Sequence, residues 1–517
     1  MEILTQWTFA NRTLKAAQFV SKHNNLELIQ LNSFGCGPDT IYIDEIKEFL
    51  ENKGKVFSVI RIDEHSASGS IKLRIRSLIE SLKMKAPDQH SLKLRKTTKL
   101  FTNEDKTKNK TIIVPFFSPF HSAYVSSAFY EMGYKVVQLP PSSKESLELG
   151  LKYVNNEICY PAILVIGDIL KAITSGQYDT DNLAVGISQT GGQCRASNYL
   201  SLLKKALVRT GFDNIPVIGI TLTNKKLNEQ PGFKLNKIKF IRQALIGLLF
   251  GDVISRMYYS TAPREKYQGT AKLLSENFAE LAQNYIIRSE KKSLLNILKD
   301  AVKEFNRVEI SRSILPKIGI VGEVYVKYNP IGNNKNIDYL VEHQVEPVLP
   351  PLIDMFSQWF VNIDVKNEYN IEDRPFAKYF SNVFEKYYDK TVEEFEKVYQ
   401  NFRFYIKQKK LRELANSAKE VINLATHYFG EGWLIAADIL GFAEQGIYNI
   451  ICLQPFGCIA NQVVAKGIEK GLKNIEPRLN ILFLDIDYNV SEVNIHNRLE
   501  ILIRNAERNF IKENQII

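Results

Sequence analysis

Residues 450–458 read Ile-Ile-Cys-Leu-Gln-Pro-Phe-Gly-Cys, and the run IANQVVAKGIEKGLK follows directly. The apolar half reads as a strand, Pro455 and Gly457 break it, and the next run has helical periodicity. Cys458 is thereby placed at a helix start, where the positive end of the backbone dipole favours thiolate, the form that binds metal. Cys159 and Cys194 are predicted in the same setting, each after a strand and at the head of a helix. Cys452 lies inside the apolar run and reads as core packing. Strand, glycine turn and helix recur along the chain, which predicts an α/β fold of Rossmann-like parallel-sheet domains with helical insertions.

Upstream, TIIVPFF (111–117), YKVVQLP, NLAVGIS and NIPVIGIT read as strands separated by helices, one of them headed by Cys159 and another by Cys194. Residues 1–85 read as the C-terminal part of an incomplete first α/β module, 86–110 as a basic linker, and 111–230 as a Rossmann-like domain. Residues 231–315 read as a helical connector, and 316–517 as a second Rossmann-like domain with a helical insertion at about 352–425. The blocks around NSFGCG and QPFGC share element order: Cys36 lies 27 residues before Asp63, and Cys458 lies 29 before Asp487. They read as the ends of two copies of one module, of which the second is complete and the first retains only its tail.

A chain of 517 residues with 45% hydrophobic content carries ample core for several domains. The strongest apolar run, ALIGLLF (244–250), is short of a membrane span, and the first residues lack the pattern of a secretory signal. A cytoplasmic location with no membrane partner is expected. Five cysteines without dense spacing point to free thiols or ligands rather than a disulfide scaffold. The net charge of +10 owes much to 93–110, where seven Lys or Arg face two acids. That segment reads as a solvated linker or, alternatively, a docking surface for an acidic partner. No nucleic-acid recognition motif accompanies the charge.

Thiolates brought together from separate segments suit an iron-sulfur cluster, and three of them leave one iron open. On spacing alone Cys159, Cys194 and Cys458 read equally as buried, inert thiols, because no CxxC occurs. Arg195, beside Cys194, is a candidate for binding an anionic substrate or tuning a cluster. Glu323 in VGEVYV follows a strand and is a candidate acid/base; Glu431 in GEGW reads as a helix-start carboxylate. His121 reads as structural or as a ligand contact. No Walker, HExxH or GxSxG sequence is present.

NSFGCGPD, VNNEICYPA, SQTGGQCRASNY, QPGFKL, VGEVYVKYNP, GEGW and QPFGC together resemble the 2-hydroxyacyl-CoA dehydratase family. The resemblance is greatest to large proteins in which such a region follows actin-like ATPase activase domains, and it runs from about residue 15 to 505. It implies Rossmann-like domains holding a [4Fe-4S] or related double-cubane cluster through three cysteines. Here these are Cys159, Cys194 and Cys458, with Cys36 as an additional metal candidate belonging to the first module. It further implies an ATP-dependent activase chain as the electron donor. The substrate would be a small molecule, for dehydratase members a 2-hydroxyacyl-CoA that loses water through a ketyl radical. Activase domains and the upstream part of the first module are absent from this sequence, so either a partner chain supplies the missing half in a hetero-oligomer, or the chain is a truncated product with one working module, or Cys36 binds nothing. The rival reading is a non-catalytic scaffold or electron-transfer subunit of an activase-containing partner.

Overall fold

The runs rich in Ile, Val and Leu form parallel strands, as their unbroken apolar character predicts. In the computed structural model, the described residues are 7–33, 37–62, 68–84, 97–130, 132–189, 194–220, 230–288, 290–371, 375–428 and 430–514. Ten strands lie among them: β1 (Leu28–Ser33), β2 (Phe57–Ile62), β3 (Thr111–Val114), β4 (Lys135–Gln138), β5 (Leu183–Ser188), β6 (Val217–Ile220), β7 (Lys317–Gly322), β8 (Glu346–Val348), β9 (Asn449–Pro455) and β10 (Asn480–Ile486). Every registered pair is parallel. β3 stops sooner than TIIVPFF suggests, at Val114, because Pro115 has no N–H for the ladder. Among the described residues no helix is long and apolar enough to cross a membrane.

The chain divides into two compact units that cut across the segments drawn from the sequence. Unit 1 comprises Met1–Phe101, Lys144–Gln230 and Phe456–Ile459; unit 2 comprises Thr102–Ser143, Pro231–Pro455 and Ala460–Ile517. Residues 111–143 and 144–230, read together as one domain, thus fall in different units. The β1–β2 block, read as a module tail, shares unit 1 with 144–230. Cys36 and Asp63 lie outside the described residues.

In unit 1, β1 pairs with β2 and β5 with β6. The helix Tyr160–Thr174 is buried along nearly its whole length and packs on the helix Lys144–Tyr153. Two glycines set that approach: a Cβ on Gly167 would stand 1.8 Å from the Ser146 carbonyl oxygen, and one on Gly150 2.1 Å from that of Ile163. The helix Gly37–Glu51 is tied to the helix Tyr199–Arg209 by ion pairs from Lys205 to Glu45 and Glu48.

In unit 2, β3 pairs with β4, and a four-stranded sheet runs β10-β9-β7-β8. β9 is buried at every position, so polar alternation would have been costly there. The order places a switch point between β7 and β9, where open parallel sheets form a crevice at the strand C-termini. Gly322 ends β7 with φ +120°, and a Cβ there would meet the Leu453 carbonyl oxygen at 1.9 Å, so only glycine allows this closeness of strands. The helical stretches expected at 231–315 and 352–425 are present as Lys237–Thr261, Thr270–Ile287, Lys291–Arg307, Leu352–Glu368, Pro375–Tyr399 and Leu411–Ala418. Within the segment read as a basic linker, residues 97–110 are instead ordered by specific contacts. The Phe101 N–H donates to Gln230 Oε1 at 2.8 Å, and Thr102 and Asp105 form a reciprocal capping box on the turn Asn103–Thr107.

Candidate functional site

Three of the sequence-predicted thiols belong to unit 1, each on its own segment. Cys159 is the N-cap of the helix Tyr160–Thr174, with Pro161 in the first turn, where its missing N–H costs nothing. The turn before it is fixed by Asn155: its Oδ1 accepts from Glu157 N at 3.0 Å, and its Nδ2 donates to Thr40 O at 3.1 Å. Cys194 caps the 3₁₀ turn Arg195–Asn198, and its Sγ accepts from Ala196 N at 3.4 Å. Cys458 follows Gly457, whose φ of +67° supplies the break the sequence predicts between β9 and the next helix. Cys159 and Cys458 are buried and Cys194 is partly exposed.

What gathers them is Arg195. Its side chain is 4% exposed; Nη2 donates to Phe456 O at 3.2 Å, and Nη1 makes a longer bond of 3.5 Å to Glu157 O. Those carbonyls lie two residues before Cys458 and Cys159, so one guanidinium ties both thiol-bearing turns to the turn that carries Cys194. Burial opposes its charge, yet Cys159, Cys458, Tyr199 and Cys194 more than offset this and hold Arg195 above the usual arginine range. Tyr199 OH also lies 2.6 Å from Cys159 Sγ. Among the described residues no three His, Cys, Asp or Glu side chains surround a single ion position. In kind, the donor set suits an iron-sulfur cluster: thiols from three segments, with a buried cation to offset the negative charge of a thiolate-bound centre.

Cys452 is fully buried in β9, within the unit 2 core that includes Ile450, Trp433 and Leu440. Cys36 lies outside the described residues.

Glu323 falls in unit 2, directly after β7. It caps the turn Val324–Tyr328 by accepting from Val326 N at 2.9 Å, while Glu431 accepts from Val324 N at 2.7 Å. Burial first, then the neighbouring Glu431, pushes Glu323 up to about 8. Burial likewise raises Glu431. Lys327 attracts both of these acids, and Asp354 and Asp438 as well. His121 is 1% exposed and structural in setting. It bonds Ser118 Oγ and Asp252 Oδ1, both at 3.0 Å, and Asp252 also accepts the N–H groups of Leu352 and Ile353 at the head of their helix.

The sequence reading passed over Tyr199, Asp252, Asp354 and Asp438. The signal for the three aspartates was a single acid inside an apolar helical run, as in LIAADILGFAE. Tyr199 gave none, since its role depends on the 3₁₀ turn bringing it back toward Cys159. No family model matches the chain, and no curated protein matches it.

Proposed function

We propose that the chain is an iron-sulfur redox protein of the 2-hydroxyacyl-CoA dehydratase type, working in the cytoplasm with an ATP-dependent activase as electron donor. The observation that carries this reading is the gathering of Cys159, Cys194 and Cys458 about the buried guanidinium of Arg195. In this reading the three thiolates are the ligands. A bound cluster would supply low-potential one-electron chemistry to a small substrate, with a 2-hydroxyacyl thioester losing water as the leading case.

The chain's own residues have separate tasks. Arg195 neutralises charge among the thiolates and keeps the turns before Cys159 and Cys458 in place through their carbonyls. Tyr199 directs its hydroxyl to Cys159 Sγ. Burial of Cys159, Cys458 and Arg195 excludes water and strengthens each electrostatic contact. Glu323, in unit 2, keeps its proton near neutral pH and is an acid/base candidate in its own right.

The test is anaerobic purification and reconstitution, followed by iron and sulfide assay and EPR. Cys159→Ala, Cys194→Ala and Cys458→Ala are each expected to lower iron content, with Cys452→Ala unchanged. A colourless, iron-free wild-type chain would overturn the proposal. Co-expression with an activase then separates an enzyme, which turns over substrate, from an electron-transfer subunit, which assembles without turnover.

A further inference from the structure

Unit 2 contains a small cleft, partly open to solvent, whose cavity measures about 70 Å³. Leu349, Pro350, Tyr399 and Phe442 contribute apolar and aromatic wall, and Asp354 and Asp438 also line it. Most other charges along its walls are already engaged. Arg256 donates to Ile406 O at 2.8 Å and Gln408 Oε1 at 3.2 Å, pairs with Glu396 at 3.4 Å, and lies over the Tyr399 ring. Glu346 accepts from Ser260 at 2.8 Å and Arg264 at 2.6 Å. Lys409 pairs with Glu444, and Lys407 is exposed.

The two aspartates differ. Asp438 is 7% exposed, and no described residue donates a hydrogen bond to it. Asp354 is 8% exposed, and among the described residues its carboxyl meets only Tyr388 OH, at 3.5 Å. A carboxyl removed from water without a donor is costly unless a ligand supplies one. Lys327 attracts both and is shared with Glu323 and Glu431, and Arg256, already paired with Glu396, also attracts Asp354, so four buried acids draw on two cations that have other partners or claims.

We propose that this cleft binds a small organic cation, an alkyl- or arylalkylammonium held at its head by Asp354 and Asp438, with its body against Pro350 and Phe442. The apolar and aromatic wall beside the two carboxyls favours an organic ion over a bare metal ion. The site lies within unit 2 and does not rest on the cluster reading, so Cys159→Ala should bind the same ligand.

Isothermal titration of the full chain at pH 8 with phenethylammonium chloride tests it, with phenethyl alcohol as the neutral counterpart and MgCl2 as the inorganic one. Saturable binding of the ammonium alone is expected, weakened about tenfold or more by Asp438→Asn, the range for a charged hydrogen bond. Should Asp438→Asn fail to fold by circular dichroism, Asp354→Asn replaces it, and saturation-transfer NMR on the wild-type chain must still separate the ammonium from the alcohol. Equal binding of the alcohol, displacement by Mg2+, no binding, or an unchanged Kd in the folded variant would each overturn the proposal.

Discussion

Asp438→Asn is expected to flatten part of the pH dependence of stability. Burial raises the Asp438 carboxyl from 3.8 to about 7. A raised acid favours the protonated form in the folded state, so its penalty on folding is absent below the unfolded value. The penalty grows through the interval between the two values and levels off above the folded one. Across pH 4 to 7 wild-type stability should therefore fall by about 1.4 kcal/mol per pH unit from this residue, about 4 kcal/mol in all. Asparagine keeps the shape and cannot ionise, so the difference between variant and wild type should move by that amount in the variant's favour between pH 4 and pH 8. Urea unfolding at pH 4, 5, 6, 7 and 8, followed by circular dichroism, gives the two curves. Parallel curves over the whole range would show that Asp438 is hydrated or paired, and the argument from its burial would fail.

Gly167→Ala should cost about 3 kcal/mol or more, since the added carbon meets the Ser146 carbonyl oxygen rather than a movable side chain; thermal unfolding reads this. Asp252→Ala should cost about 3 kcal/mol in urea unfolding, because it strips the Leu352 and Ile353 N–H groups and His121 of one shared acceptor. Arg195→Gln should slow alkylation of the cysteines by iodoacetamide at pH 8 by about tenfold, as a nearby cation's effect on an anion implies. Mass mapping should locate that change at Cys159, Cys194 and Cys458 and leave the slow labelling of Cys452 as it was.

The parallel sheets were legible because unbroken runs such as LAVGIS and NIICLQP suit strands covered on both faces. The different settings of Cys452 and Cys458 were legible as well, one inside an apolar run and one beyond a glycine break. The division into units was not. Nor was the role of Gly150 and Gly167, which in a string look merely like weak points in helices, whereas in three dimensions they let two backbones of unit 1 touch. The capping box at Thr102 and Asp105 was hidden by the lysines around it, since composition outweighed a spacing of three. Arg195 was noticed as the neighbour of one cysteine. That it would bond the carbonyls of Glu157 and Phe456 depends on contacts 38 and 261 residues away, which no local pattern encodes.

The register of β7 on β9 carries a cost during synthesis. Gly319 pairs with Ile450, 131 positions later, whereas β8 reaches β7 from only 29 positions away. At a translation rate of about 5–20 residues per second, β7 waits on the order of 10 s after leaving the ribosome before β9 emerges. For that time one edge of a short apolar sheet stands open to other chains. The helices made in the interval, from Asn336 to Glu444, can form from local contacts meanwhile. Yield from expression should accordingly respond to slower growth temperature and to chaperone supply more than the stability of the finished fold would suggest.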